Sequence, residues 1–352
     1  MTELAYVAMP SILVPYPHAA DDHQTVNAQV FETAGAAVLR QEAELDAGQL
    51  VADLSKMVED DEYRKAMSTQ AAALSVRDAD AKICDLITID ALGHASMHMG
   101  ARASRAEIKT FRHNDPDDLA ELLDDCRGSF GTCLVVTEGV FSMDGDRAPL
   151  DRLATVAADH DAWLMVDDAH GFGVLGGGRG SAWEFDPHPD IPLQMGTLSK
   201  AAGVYGAFLC ASAPVIDLMK NRARSLVFTT GLPPSVIASC IAAVDIIATD
   251  ADRVAQPLNR AKDFCHAVGL PVPESSIVPL VVGAEQAAID ASVALEDAGF
   301  LVTPIRPPTV PAGTSRLRFT FTAEHTPAQV SALAAAVNAL SLTTAGAQVV
   351  GG

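Results

Sequence analysis

Basic residues are scarce in this sequence. Its 24 Lys and Arg face 45 Asp and Glu, and the formal net charge of -21 repels polyanions, which excludes unspecific binding to nucleic acid or to an anionic membrane surface. Aromatic residues make up only 5% of the chain while 49% of it is hydrophobic, so a large core must be built mainly from Ala, Val and Leu. No Cys-x-x-Cys pair occurs among Cys84, Cys126, Cys133, Cys210, Cys240 and Cys265. Scattered cysteines in apolar surroundings fit the free thiols of a reducing compartment better than disulfides or a zinc site; no metal is expected, and a cytoplasmic location is. The chain does not open on a basic segment followed by a long apolar one, and its apolar run from Ile237 to Ile247 is interrupted by Asp245. Neither a membrane span nor an export signal is therefore expected.

What is present is alternation. Residues 11–16 (SILVPY) read as a strand, 23–33 as a helix with Val26 and Val30 at i, i+4 spacing, and 36–39 as a short strand. Helical patterns follow over 49–58, 61–74 and 78–87, the last with Asp78 as its cap. Then strands are expected at 133–136, 162–166, 193–195 and 207–210, with a helix over 150–160. Helices over 234–249 and 252–268 precede strands near 277–281, 300–302 and 316–320 and a closing helix over 327–340. This pattern predicts an α/β fold with a mostly parallel sheet and a smaller C-terminal α+β domain. The expected parts are 1–87, 88–250 and 251–345.

In WLMVDDAHGFGVLGGGRG (163–180) four apolar residues, Trp163 to Val166, read as a strand covered on both faces. Asp167, Asp168 and His170 follow where that run stops, and ligands of parallel sheets collect beyond the carboxyl ends of strands. Asp168 by itself reads as a cap of the following turn. In GTLSKAAG (196–203) Lys200 is ringed by small residues directly after a strand, which lets something bulky approach. A lysine in a partly desolvated pocket gives up its proton more easily and can form a Schiff base. Read alone, the octapeptide is better explained as the start of a solvated helix, and His94 in ALGHAS as a capping or core histidine. Taken together, Lys200, Asp167 and His94 supply what a pyridoxal 5'-phosphate site needs: an amine, an acid to keep the ring nitrogen protonated, and a face to stack on the ring.

From about residue 85 to 340 the chain resembles the α-oxoamine synthases, a family of fold type I pyridoxal-phosphate enzymes. Seven motifs in the family's order carry the resemblance: DALGHAS (90–96), FRHNDPDDL (111–119), VVTEGVFSMDGDRAPL (135–150), VDDAHGFGVLGGGRG (166–180), GTLSKAAG (196–203), FTTGLPP (228–234) and IRPPTVPAGTSRLR (305–318). The TEGVFSMDGD and IRPPTVPAGT blocks favour the biotin-pathway branch over glycine- or serine-using relatives. The resemblance implies a homodimer with sites between subunits. The implied reaction condenses L-alanine with a pimeloyl thioester of coenzyme A or acyl carrier protein, with loss of CO2, to give 8-amino-7-oxononanoate. Lys200 would carry the cofactor and move the α-proton, Asp167 would pair with the pyridinium nitrogen, and His94 would stack on the ring. Ser142 and His170 would hydrogen-bond around the ring hydroxyl, while Thr197 and, across the dimer, Thr230 would reach the phosphate. Arg318 would hold the amino-acid carboxylate and Thr309 would line the acyl side. Phe172 departs from the family, which usually carries a small or hydroxylated residue there, and is expected to crowd the site.

Residues 2 to about 87 resemble a different family, the peptidoglycan glycosyltransferases that add N-acetylglucosamine to lipid I. That likeness is to their C-terminal part and rests on TELAYVAMPSILVPYPHAADDHQTVNAQVFETAGAAVL (2–39). It implies that Glu3 meets the ribose of a UDP-sugar and Gln24 its sugar or diphosphate. The donor-binding glycines of that family do not occur ahead of this stretch, nor does the glycine-containing loop that holds the cofactor phosphate in the other. The seam falls near AKICDLITID (81–90). Each charge-assisted bond lost with the phosphate loop is worth roughly 1.5–3 kcal/mol, so cofactor affinity is expected to fall steeply. A missing early strand is expected to uncover one sheet edge. Three outcomes are left open: a pyridoxal-phosphate acyltransferase of reduced strength, a fragment that binds UDP-N-acetylglucosamine, and a catalytically inactive fusion.

Overall fold

The computed structural model describes residues 4–5, 7–15, 23–74 and 85–340. It divides into two units, Met1–Lys82 and Ile83–Gly352. In the first, β1 (Ser11–Leu13) and β2 (Ala37–Leu39) pair in parallel around α1 (His23–Thr33), and α2 (Ala47–Glu59) and α3 (Asp61–Ala73) follow. Asp46 and Asp60 cap these two helices by accepting from the N–H groups of Gln49 and Tyr63. Arg40 ties β2 to α2 through two hydrogen bonds to Asp53, each 2.8 Å. The buried core is Ala5, Phe31, Ala36, Ala37 and Ala71. One large side chain among five makes it a thin core, since stabilisation scales with the apolar area withdrawn from water.

The second unit opens with β3 (Leu86–Asp90), α4 (Ala95–Ala103), β4 (Glu107–Phe111), α5 (Pro116–Cys126), β5 (Cys133–Glu138), α6 (Leu150–Asp159) and β6 (Trp163–Asp167). It continues with β7 (Leu193–Thr197), β8 (Ala207–Cys210), α7 (Ala213–Arg222), α8 (Arg224–Val227), α9 (Pro234–Thr249) and α10 (Ala251–Val268). The last elements are β9 (Ile277–Gly283), α11 (Glu285–Asp297), β10 (Thr303–Ile305), β11 (Ser315–Thr320) and α12 (Pro327–Ala339). The main sheet has the order β4-β3-β5-β6-β7-β8, parallel throughout except for β8. A smaller antiparallel sheet, β10-β11-β9, forms the C-terminal α+β part. The fold is α/β, as the alternation of strands and helices predicts.

The main core packs Phe111, Leu119, Leu123, Phe141, Leu150, Leu153 and Leu164, all but excluded from solvent. Leu119 and Leu123 are one helical turn apart on α5, whose start is set by the Asp115 cap, Pro116 in the first turn and the acids Asp117 and Asp118 facing the positive helix end. The C-terminal core centres on Phe264, whose ring lies 4.7 Å from that of Phe319 and 5.3 Å from that of Phe321.

Two expected elements are corrected. The helix expected over 78–87 does not reach its end: Leu86 and Ile87 belong to β3, and residues 75–84 lie outside the described residues. β3 pairs on both sides, and its five residues are all buried, an environment that suits the alternating β-branched LITI and outweighs the helical reading. The strand expected at 300–302 begins instead at Thr303, because Gly299 (φ 89) and Phe300 close α11 with bonds to Glu296 and Leu295. Among the described residues no single helix is long and apolar enough to cross a membrane.

Candidate active site

Four parallel strands deliver the candidate residues to one edge of the sheet. β3, β5, β6 and β7 run the same way, so their last residues, Asp90, Glu138, Asp167 and Thr197, emerge together. The segments that follow carry His94, Ser142, His170 and Lys200.

Asp167 is 6% exposed and accepts from the N–H of Ala169 at 3.0 Å. Its register partner on β5 is Glu138, so the two side chains leave the sheet on the same face. Glu138 is 3% exposed, and its Oε1 has no hydrogen-bond partner. Burial, reinforced by the neighbouring Asp167, pushes the Glu138 carboxyl up to about 8, against the N–H of His94 and the charge of Lys200. Near neutrality it therefore keeps its proton. Asp168 is held in a different place, enclosed by Gly139, Gly171 and Gly180, where it accepts from the N–H of Ser181 at 2.8 Å and from the Ser181 hydroxyl. Burial raises its carboxyl to about 6. It braces the turn.

Beyond the strand ends lies a cavity of about 890 Å³ lined by His170, Phe172, Lys200, Arg318 and residues of α9 and α10. Burial above all, and then the charges of Lys200, Arg318 and His94, brings the His170 imidazole down to about 3, so it is neutral. Burial also lowers the Lys200 ammonium, opposed by the nearby Asp167 and Glu138 carboxyls. Lys200 keeps contact with solvent at the cavity mouth. Arg318 comes from β11 and donates through Nε to the carbonyl of Ser142 at 2.6 Å. The turn that carries Ser142 presses against β9: a Cβ on Gly145 (φ 72) would lie 2.3 Å from the carbonyl oxygen of Ile277, and only glycine fits that approach.

Residues 66–337 match the family model for aminotransferase class I and II. A curated 8-amino-7-oxononanoate synthase from Methylocella silvestris is 56% identical over 253 residues, 72% of this chain and 72% of its own length. The chain belongs to this family, in its α-oxoamine synthase branch. A second 8-amino-7-oxononanoate synthase, from Beijerinckia indica, is 56% identical over 241 residues, 68% of this chain and 62% of its own length. The chain thus spans about two thirds of these relatives. A lysine-to-alanine variant of serine palmitoyltransferase from S. paucimobilis, solved with a bound pyridoxal phosphate–myriocin adduct, superposes with a TM-score of 0.69 at 33% identity, covering 74% of this chain and 68% of that one. Residues 1–83 match a separate model, the glycosyltransferase family 28 C-terminal domain.

Of the α-oxoamine synthase residues expected from the sequence, Lys200, His170 and Arg318 line one cavity, and Asp167 lies near enough to act on the charge of Lys200. His94 is exposed and caps α4: its Nδ1 lies 2.8 Å from the Ser96 hydroxyl and 3.3 Å from the Ser96 nitrogen. It nevertheless lies near enough to interact electrostatically with His170. The Thr197 hydroxyl is engaged with the carbonyl of Gly206 at 3.1 Å and the Ser199 hydroxyl at 2.7 Å. Thr230 and Thr309 are exposed and are not part of the cavity wall. Phe172 is part of it, its ring edge-on to Phe208 with 5.0 Å between centroids. In the first unit, Gln24 is exposed, and Glu3 lies outside the described residues.

Glu138 is the site residue that sequence reasoning overlooked. The signal was there, a lone acid ending the apolar run of VVTE at the same depth as Asp167. The groups present fit pyridoxal phosphate: an amine made easier to deprotonate, a buried acid beside it, a neutral imidazole, a guanidinium and an adequate cavity. The unpaired Oε1 of Glu138 marks further polar capacity on the same floor.

Proposed function

We propose that this α-oxoamine synthase condenses L-alanine with a pimeloyl thioester, with decarboxylation, to give 8-amino-7-oxononanoate, using pyridoxal 5'-phosphate. The observation that carries the reading is a cavity lined by Lys200, His170 and Arg318, with the buried Asp167 near enough to act on the charge of Lys200. Bound there, the cofactor supplies an electron sink for negative charge at the α-carbon of alanine. Lys200 would hold the cofactor through Nζ and, once released, take the α-proton of the amino acid, a task its lowered pKa favours. Asp167 would keep the ring nitrogen protonated. With its proton kept, Glu138 adds no full negative charge beside Asp167. Neutral His170, with Ser142, would hydrogen-bond the ring hydroxyl. Arg318, with Nε already held by the Ser142 carbonyl, would grip the alanine carboxylate with its remaining N–H groups. His94 would face the ring, Thr197 and, across the dimer, Thr230 would reach the phosphate, and Thr309 would line the acyl side.

The exposed Ile237, Ile241 and Val244 on α9 support a homodimer. The test is a titration of the purified chain with pyridoxal phosphate followed by visible absorbance. The expected band belongs to lysine-bound cofactor and disappears in Lys200→Ala. Protein that stays colourless in excess cofactor refutes the reading.

The match of residues 1–83 supports a second reading for the first unit alone, binding of UDP-N-acetylglucosamine through Gln24 and Glu3. Calorimetry decides it, and no heat with excess sugar nucleotide ends it. A chain that folds by circular dichroism and takes up neither ligand is the inactive fusion.

A further inference from the structure

A second cluster of titratable groups sits at the carboxyl end of β3. Asp90, the last residue of β3, is wholly buried. Its Oδ1 accepts from the N–H of Leu92 at 2.9 Å and lies 2.9 Å from Nδ1 of His113, while its Oδ2 accepts from the N–H of Asn114 at 2.9 Å. The other ring nitrogen of His113, Nε2, lies 2.8 Å from Oδ2 of Asp146, an oxygen that also accepts from the Asn114 amide at 2.8 Å. Phe141 stands edge-on to the imidazole with 4.3 Å between centroids.

Each carboxylate governs one side of the cofactor site. Asp90 turns the chain towards His94, aided by the Gly93 N–H on its own carbonyl at 2.9 Å. Asp146 closes the turn that contains Ser142, where the Phe141 N–H donates to the Asp146 carbonyl at 3.0 Å and the Gly145 N–H to the Phe141 carbonyl at 2.9 Å. We propose that His113 is a positioning residue whose imidazole, bridged between Asp90 and Asp146, sets the spacing between the His94 segment and the Ser142 turn. The proposal rests on the pyridoxal-phosphate reading of that site.

The chemistry favours histidine. A protonated imidazole offers two N–H groups fixed in one rigid plane and pointing in opposite directions, one for each acid. Glutamine presents both donors from one end, and lysine has no fixed plane. The charged groups that face His113 are Asp90 and Asp146, which hold its imidazole at a pKa of about 10 against the opposing effect of burial. Asn114 adopts φ 52, a left-handed conformation that Asn tolerates, and so offers its backbone N–H and side chain to both acids at once.

The experiment compares the full chain with His113→Gln and with the isosteric Asp146→Asn. Hydrogen–deuterium exchange without cofactor is read over residues 91–97 and 139–147, with 285–297 as the reference. Both test segments are expected to exchange about tenfold faster in His113→Gln, with the reference unchanged and Asp146→Asn in between. Wild-type rates in either test segment overturn the proposal, and if His113→Gln does not fold, Asp146→Asn decides by the same criterion. Visible circular dichroism then reports the orientation of bound pyridoxal phosphate. A positioning role alters ellipticity per bound cofactor, whereas unchanged ellipticity with only a lower melting temperature overturns it. If the wild-type chain takes up no cofactor, the proposed function fails and the exchange result alone judges His113.

Discussion

Replacing Gly171 by alanine tests the enclosure around Asp168. A Cβ at this position would lie 2.1 Å from Oδ1 of Asp168 and 2.2 Å from the hydroxyl oxygen of Ser181. Contacts under 3.0 Å essentially never occur, so the first must open by about 0.9 Å (3.0 minus 2.1). Neither neighbour is free to retreat, because Asp168 and Ser181 are bonded to each other through both the Ser181 N–H and its hydroxyl. Losing one hydrogen bond to a charged group costs roughly 1.5–3 kcal/mol, and overpacking adds about 1–3 kcal/mol. A total of about 2.5–6 kcal/mol is a large part of the roughly 5–15 kcal/mol that holds a domain folded. Urea unfolding followed by tryptophan fluorescence reads the right unit, since both tryptophans, Trp163 and Trp183, lie in it. Gly100→Ala is the control: it lies inside α4, its Cβ would meet nothing within 4 Å, and it is expected to gain about 0.4–1 kcal/mol. A loss below about 1 kcal/mol in Gly171→Ala would refute the account of Asp168 as an enclosed brace.

Two further outcomes follow from buried charges. His113 has its pKa raised from 6.5 to about 10, so its stabilisation is complete below the unfolded value and disappears as pH rises through about 10. At about 1.4 kcal/mol per pKa unit, the stability gap between wild type and His113→Gln should shrink by roughly 3–5 kcal/mol between about pH 6 and pH 10, measured by urea unfolding; a constant gap contradicts it. Arg316, 2% exposed, pairs with Asp144. Asp144→Ala strands that guanidinium and should cost about 3–5 kcal/mol, while Arg316→Met should cost less, an order that calorimetric melting can confirm or reverse.

Local pattern made much of the molecule legible. The apolar run ending at Asp167, the small residues around Lys200 and the closing helix begun at Pro327 are written in consecutive residues, and the structure has β6, the turn after β7 and α12 there. What sequence spacing hid was set by distant partners. His113 stands 23 residues from Asp90 and 33 from Asp146, and only the parallel pairing of β3 with β4 and β5 unites them. Glu138 looks like an ordinary polar residue at a strand end until its register with Asp167 is known. Residues 86–87 read as helix in sequence because their neighbours upstream are helical in pattern, whereas burial on both faces is a property of the sheet they enter.

The two flanks of the main sheet differ in what they offer to another chain. β4 carries Glu107 and Lys109, joined by an ion pair at 3.2 Å, and such charges discourage a stranger from adding itself. β8, Ala-Phe-Leu-Cys, has no charge, and among the described residues no strand borders its outer side. Whatever covers or fails to cover that row of backbone donors and acceptors decides whether the protein stays dispersed at high concentration. Solubility is therefore tied to β8, a strand that begins directly after the turn carrying Lys200.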